Sequence, residues 1–219
     1  MTRRFVIVVL GKQGSGKGTQ CTRLSQIHHV PHVSTGDILR AAVREGTALG
    51  LEVKAVMDAG ELVSDELIME LVAARLGEPD AERGALLDGC TRTRGQAEAL
   101  ERLLGAGGLA LALNLDISTE LVTERLSSRR VCQECGTIYR DSDPAAISGT
   151  CEKCGGDVIL RADDQPDAIV QRLSAYERDT APLLDYYAEL GILETVNGDQ
   201  SVADVARDID AVLAKRGLA

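Results

Sequence analysis

Nine residues, Gly11 to Thr19, constrain this chain more than any others: they read GKQGSGKGT and follow directly on an apolar run, Phe5 to Leu10. A short β-branched run that breaks into closely spaced glycines and a lysine is a buried strand turning into a helix through a loop of exposed backbone N–H groups. Gly11, Gly14, Gly16 and Gly18 carry no side chain to hold an anion away. The helix beginning near Lys17 presents its partly positive end, and Lys17 adds a full charge. The loop is therefore read as a cradle for phosphate, in preference to a plain glycine-rich turn. Its hydroxyl comes at Thr19, one place after Gly18, so a hydroxyl ligand to magnesium is displaced from its common position.

A phosphate site in this chain must be a local basic patch in an acidic protein. The 219 residues carry a formal charge of −10, which speaks against a general binder of nucleic acid or anionic membrane. A hydrophobic fraction of 44% is ample for a core, built on Leu, Val, Ile and Ala because there is no Trp and one Phe. Arg3 and Arg4 precede an apolar run too short for a signal-peptide core, and no stretch is long enough to span a membrane. The expectation is a cytoplasmic protein whose 6 cysteines are thiols or metal ligands rather than disulfides.

Thr19 to His28 carries a helical pattern, and Val30 to Val33 reads as a brief strand. Ser34-Thr35-Gly36-Asp37 looks like a helix start, with Ile38, Leu39, Ala42 and Val43 on the apolar side. Helical periodicity returns from Leu49 to Asp58, stops at Ala59-Gly60 and resumes after Ser64, a suitable N-cap. Ala85 to Asp88, Leu109 to Ile117 and Ile192 to Val196 read as further buried strands. Strands alternating with helices imply a parallel sheet covered on both faces, with ligands at the carboxyl ends of the strands. The Gly11 loop and Asp88 both lie there.

From Ser118 a helix is expected to run to about Arg130, placing Arg125 and Arg129 at i, i+4 on one face with no carboxylate three or four residues from either within it. Two such cations call for an anion opposite, unless they form a solvated surface pair. Further on, Pro166 suits the first turn of a long helix carrying Arg172, and Pro182 should kink or split that helix.

Between Arg130 and Arg161 stand Cys132-x2-Cys135 and Cys151-x2-Cys154, with fifteen residues separating the pairs. This spacing suits one tetrahedral zinc held by four thiolates. With no open coordination position the metal is structural, folding an insert too small to bury a core. Redox disulfides are the alternative. A nucleic-acid-binding zinc ribbon is disfavoured by five acidic residues against Arg140 and Lys153 between Val131 and Leu160. Cys21 and Cys90 read as inert small core residues, and His28, His29 and His32 as ordinary polar positions.

Together these segments resemble the adenylate kinase family in its long form with a zinc-bearing lid. GKQGSGKGTQ, STGDILRAAV (34–43), DAGELVSDEL (58–67), LLDGCTRTRGQAEAL (86–100), ERLSSRR (124–130), the cysteine insert and RADDQPDAIVQRL (161–173) occur in the family's order, over nearly the whole chain. The resemblance implies an α/β fold of the P-loop nucleoside monophosphate kinase type, a parallel five-stranded sheet with helices on both faces. It further implies a core of residues 1–33, 64–127 and 165–219, a helical flap at 34–63 over the nucleoside monophosphate, and a zinc-bearing lid at 128–164 over ATP. The implied reaction is the reversible, magnesium-dependent conversion of ATP and AMP to 2 ADP, serving adenine nucleotide homeostasis. A monomer with structural Zn2+ and neither nucleic-acid nor membrane partners is implied as well.

Phosphoryl transfer needs in-line positioning and positive charge around anionic oxygens, so lysine and arginines are the machinery. The resemblance implies that ATP meets Gly14, Ser15, Gly16, Lys17, Gly18 and Thr19, with Arg125 at the adenine, Arg129 at the phosphates, and Ile138, Tyr139 and Gln200 along its border. AMP is implied to meet Thr35, Arg40, Glu61, Leu62, Val63, Gly89, Arg92 and Gln96, the last reading the adenine edge. Arg161 and Arg172 close on the phosphates between them, and Asp88 orients magnesium through water. The catalytic set so implied is Lys17, Asp88, Arg92, Arg129, Arg161 and Arg172, and the metal set Cys132, Cys135, Cys151 and Cys154. The chain departs from the family at Gln13, where proline is usual, and at Cys90-Thr91, where Phe-Pro is usual. A cis peptide costs far more before Thr91 than before proline, so a different turn is expected beside AMP. The rival readings are a UMP/CMP kinase, a GTP:AMP phosphotransferase, and a zinc-ribbon ATPase that binds nucleic acid.

Overall fold

The computed structural model describes residues 5–105 and 108–218, so Arg3 and Arg4 lie outside the described residues. Strand β1 (Phe5–Leu10) occupies the middle of a five-stranded sheet, as its uninterrupted apolar run requires. β2 (His32–Ser34), β3 (Gly84–Asp88), β4 (Leu111–Asp116) and the last strand, Leu193–Asn197, complete the sheet. All the pairings are parallel, with Val8 in register with Leu87 on one side and Ala112 on the other. Side chains alternate across the sheet. Val6, Val8 and Leu10 enter one core with Leu87, Val72 and Leu100, whereas Ile7 and Val9 enter the opposite core with Leu24, Leu113 and Ile209.

The first core is covered by α2 (Thr35–Glu45), α3 (Ala48–Asp58), α4 (Asp65–Leu76) and α5 (Arg94–Leu104). The second is covered by α1 (Lys17–His28) and by the C-terminal helix Val202–Lys215. Helix starts follow sequence chemistry: Ser34 accepts from the Asp37 N–H and Ser64 from the Leu67 N–H. The second strand begins two residues later than periodicity suggested, because His32 to Ser34 pair with Leu86 to Asp88.

Helix α6 (Thr119–Ser128) corrects the sequence reading twice. It ends at Ser128, where Arg129 opens β5 (Arg129–Cys132), pairing antiparallel with β6 (Ile138–Arg140) and with Val158–Ile159. Arg125 and Arg129 therefore do not share a helix face. Ser118 sits at the cap position, but its hydroxyl makes no capping bond. Between β6 and Val158–Ile159 lies the short helix α7 (Pro144–Ser148). After α8 (Pro166–Ala175) comes a π-helical turn, Tyr176–Thr180, and then α9 (Pro182–Glu189). Pro182 at the start of α9 lacks an N–H to continue the ladder, so it splits the helix as expected.

Candidate active site

The loop after β1 is built by close backbone approach. At Gly11 a Cβ would lie 2.5 Å from the Leu115 carbonyl oxygen, and Gly16 caps α1 at φ 97°, which a side chain would strain. Residues of the loop and of the start of α1 line a cavity of about 490 Å³. Lys17 curls over the loop, its Nζ donating to the carbonyls of Gly11 at 2.6 Å and Lys12 at 2.8 Å. Burial lowers the Lys17 ammonium to about 8, with Asp88 opposing the shift.

Gly14, Gly16, Gly18, Thr19, Arg125, Arg129, Ile138, Tyr139 and Gln200 line the same cavity. Ser15 does not; it is buried beneath the loop, and its hydroxyl has no partner. Arg125 spans the cavity floor, donating to the carbonyls of Gly14 at 3.4 Å and Gly198 at 3.2 Å. The anion sought opposite Arg125 and Arg129 is Asp164, and it serves a different pair of arginines. The Arg129 guanidinium donates to both its oxygens, at 2.8 and 2.5 Å, and Arg172 donates to Oδ1 at 2.9 Å. Asp163 adds a contact to Arg172 at 3.2 Å. Burial lowers Arg161 to about 10, and the nearby cations Arg40 and Arg129 push it the same way.

A smaller cavity adjoins the first, lined by Thr35, Arg40, Glu61, Leu62, Val63, Gly89, Arg92, Gln96 and Arg172. Among the residues expected there, Arg161 instead lines the larger cavity. Thr35 donates from its hydroxyl to the Gly89 carbonyl at 2.9 Å. Arg92 is held by its backbone N–H on Gln96 Oε1 at 2.7 Å and by its Nε on the Gly89 carbonyl at 3.2 Å. The departures from Phe-Pro are accommodated without a cis bond, none being present among the described residues. The Thr91 hydroxyl accepts from the Tyr187 hydroxyl at 3.3 Å, Cys90 packs in the core, and the Thr180 hydroxyl donates to the Arg92 carbonyl at 2.9 Å.

The contacts of two further residues lay beyond sequence reasoning. His32 is no ordinary polar position, since its Nε2 lies 3.3 Å from Asp88 Oδ2 at the carboxyl end of β3. Lys12 ties the loop to Glu177 at 3.3 Å and to the Thr119 hydroxyl at 3.1 Å. Neither spacing marks these pairs in the chain. The signal for Asp164 was present, an acidic pair between Arg161 and Arg172, but its partners were not.

The four cysteine sulfurs gather as the spacing predicts. Cys132 and Cys154 are 3.4 Å apart, Cys135 and Cys151 are 3.6 Å apart, and all four lie within 4.8 Å of one another. A tetrahedron with zinc–sulfur bonds of about 2.3 Å has edges of about 3.8 Å, so the donor set fits zinc. Magnesium fits differently. Asp88 and Thr19 both line the larger cavity, and one carboxylate with ligand phosphates is a common way of holding that ion.

A phosphate loop at the end of a central parallel strand, with two cavities meeting across arginines, defines a P-loop phosphotransferase. The comparisons narrow the class. The sequence model described as adenylate kinase matches residues 9–192. The adenylate kinase of Thermodesulfovibrio yellowstonii is 45% identical over 213 residues, covering 96% of this chain and 99% of that protein. That of Bacillus subtilis is 45% identical over 210 residues, covering 94% and 97%, and that of Methanosarcina acetivorans 45% over 212, covering 95% and 98%. The chain belongs to the adenylate kinase family. No helix among the described residues is long and apolar enough to cross a membrane.

Proposed function

We propose that this chain transfers the terminal phosphoryl group of ATP to AMP, reversibly and with magnesium, giving 2 ADP. The observation that carries the reading is the junction of the cavities: Gly36, Arg40, Arg92 and Arg172 line both. A phosphoryl group passing from a ligand in one to a ligand in the other crosses between guanidinium groups, where anionic charge is greatest during transfer.

In this reading Lys17 releases the Gly11 and Lys12 carbonyls to meet the ATP phosphates, while the backbone of Gly14 to Thr19 cradles them. Arg125 supports the adenine, bordered by Ile138, Tyr139 and Gln200. Arg129, Arg161 and Arg172 gather the phosphates, and Arg40 and Arg92 hold the AMP phosphate beside Thr35 and Gly89. Gln96 reads the adenine edge, with Glu61, Leu62 and Val63 as the facing wall. Asp88 orients the magnesium, which supplies neutralising charge when bound with ATP. Residues 34–63 and 128–164 act as flaps over a core of 1–33, 64–127 and 165–219, and their closure excludes water that would otherwise hydrolyse ATP.

Zinc on Cys132, Cys135, Cys151 and Cys154 holds the lid's fold, with no part in the chemistry. The acidic net charge supports a monomer acting on free nucleotides, without nucleic acid or anionic membrane, and cysteines gathered as a ligand set rather than as disulfides support a cytoplasmic setting. An acceptor screen with ATP and magnesium tests the assignment: AMP is expected to be far the best acceptor. Turnover with UMP or CMP and none with AMP rejects it, and a preference for GTP as donor moves the chain to a different phosphotransferase.

A further inference from the structure

Gln96 lines the smaller cavity with 1% of its surface exposed, and its carboxamide has two fixed partners. The Arg92 backbone N–H donates to Oε1 at 2.7 Å, and Nε2 donates to Asp65 Oδ1 at 2.8 Å. The two ends of the amide cannot be exchanged, because a peptide N–H only donates and a carboxylate only accepts. Asp65 is itself held. Its Oδ2 accepts from the Thr93 hydroxyl at 2.7 Å, and Thr93 Oγ1, its proton thus committed, accepts from the Gln96 backbone N–H at 3.2 Å. Gly95 leaves the room for this, since a Cβ there would lie 2.7 Å from Asp65 Oδ2. The first residue of α4 and the N-cap of α5 are tied into one circuit around the Gln96 amide.

With those bonds made, Gln96 retains one N–H on Nε2 and one lone pair on Oε1. That order matches a 6-amino purine, whose N1 accepts and whose exocyclic amine donates. A 6-oxo purine presents the reverse, a donor at N1 and an acceptor at position 6. Against the fixed amide it sets donor on donor and acceptor on acceptor. If the amide were free, it would turn over and accept either base.

We propose that Asp65 is a positioning residue for acceptor-base selectivity: by holding Gln96 Nε2, and by anchoring Thr93 at the start of α5, it fixes the donor–acceptor order that admits a 6-amino purine monophosphate and rejects its 6-oxo counterpart. The inference rests on the smaller cavity being the AMP site.

The test measures kcat/KM for AMP and for IMP, with ATP as donor, in the wild type and in Asp65→Ala, Asp65→Asn and Thr93→Val. The wild type is expected to favour AMP. Asp65→Ala leaves the Arg92 N–H as the one remaining partner that opposes a turned amide, and is expected to lower the AMP-to-IMP ratio by about tenfold while the KM for ATP stays near its wild-type value. Asp65→Asn, whose Oδ1 still accepts from Nε2, retains most of the ratio. Should Asp65→Ala not fold, Thr93→Val unties Asp65 from α5 and is expected to lower the ratio about threefold or more. Equal losses toward AMP and IMP in these variants, leaving the ratio unchanged, reduce Asp65 to a structural role and overturn the inference. A wild type that uses IMP as well as AMP overturns it too. A wild type that makes no ADP from ATP and AMP is a separate failure, that of the AMP-site reading, and is visible before any variant is made.

Discussion

Asp164→Asn isolates what the arginines around the phosphate site cost the free protein. The Asp164 side chain is wholly buried and accepts from Arg129 at 2.8 and 2.5 Å and from Arg172 at 2.9 Å. Asparagine keeps the shape but removes the charge and turns an NH2 toward guanidinium donors. Removing one partner of a buried ion pair costs about 3 to 5 kcal/mol, because the charge left behind stays desolvated. Arg172 retains Asp163 at 3.2 Å, and Arg129 borders a cavity open to solvent, so the lower end applies, about 3 kcal/mol. For a chain of this size each kcal/mol moves Tm by about 2 to 4 °C, which gives a loss of about 6 to 12 °C by scanning calorimetry. Saturating ATP should narrow the gap between variant and wild type, since its phosphates bring the negative charge that Asp164 no longer supplies. A shift under 2 °C, or a gap indifferent to nucleotide, refutes the view that Asp164 holds the arginines in register for an anion.

The Lys17 ammonium, lowered to about 8 by burial, must be protonated to meet phosphate, so kcat/KM for ATP is expected to fall up to tenfold per pH unit above about 8. Lys17→Arg should abolish that limb while lowering the plateau, and a flat wild-type profile from pH 7 to 10 would contradict the assignment. Arg92→Ala is expected to lower turnover by roughly two to three orders of magnitude, as for loss of one preorganised donor, and a wild-type rate would show that the Cys90-Thr91 turn has aimed the guanidinium away from the phosphates. Protein purified under reducing conditions should hold one zinc per chain by elemental analysis. Chelation or Cys151→Ser should lower Tm and raise protease cleavage between residues 128 and 164, whereas metal-free protein with an unchanged lid would exclude a structural zinc.

The sheet and the phosphate loop were legible because the information is local. A buried strand, positive-φ glycines and a lysine at a helix start are written within about fifteen consecutive residues. The cysteine quartet was legible because four ligands of one type at fixed spacing leave few alternatives. What the sequence hid is long-range. Arg125 and Arg129 looked like a helical pair because nothing in ERLSSRR marks where β5 takes the chain over, and strand pairing with residues 138–140 decides that boundary. The Asp164 partners, the His32 contact to Asp88 and the Asp65–Gln96 bond join residues 31 to 56 positions apart, apart from Arg172, which lies two helical turns from Asp164. Each depends on how separate elements pack together: β2 beside β3, α4 against α5, and β5 beside the turn that leads into α8. Cys90-Thr91 called for a different turn beside AMP, and the Tyr187 and Thr180 hydroxyls hold that turn from α9 and the segment before it, which no local pattern could disclose.

Two cavities that meet at Arg40, Arg92 and Arg172 should each accept an ADP molecule. Incubation of the protein with magnesium and ADP alone, followed by separation of the nucleotides, tests this most directly. Appearance of ATP and AMP in equal amounts, suppressed by EDTA and by Arg92→Ala, is the expected result. Unchanged ADP, or formation of ATP only when a different nucleoside diphosphate is added, would contradict it.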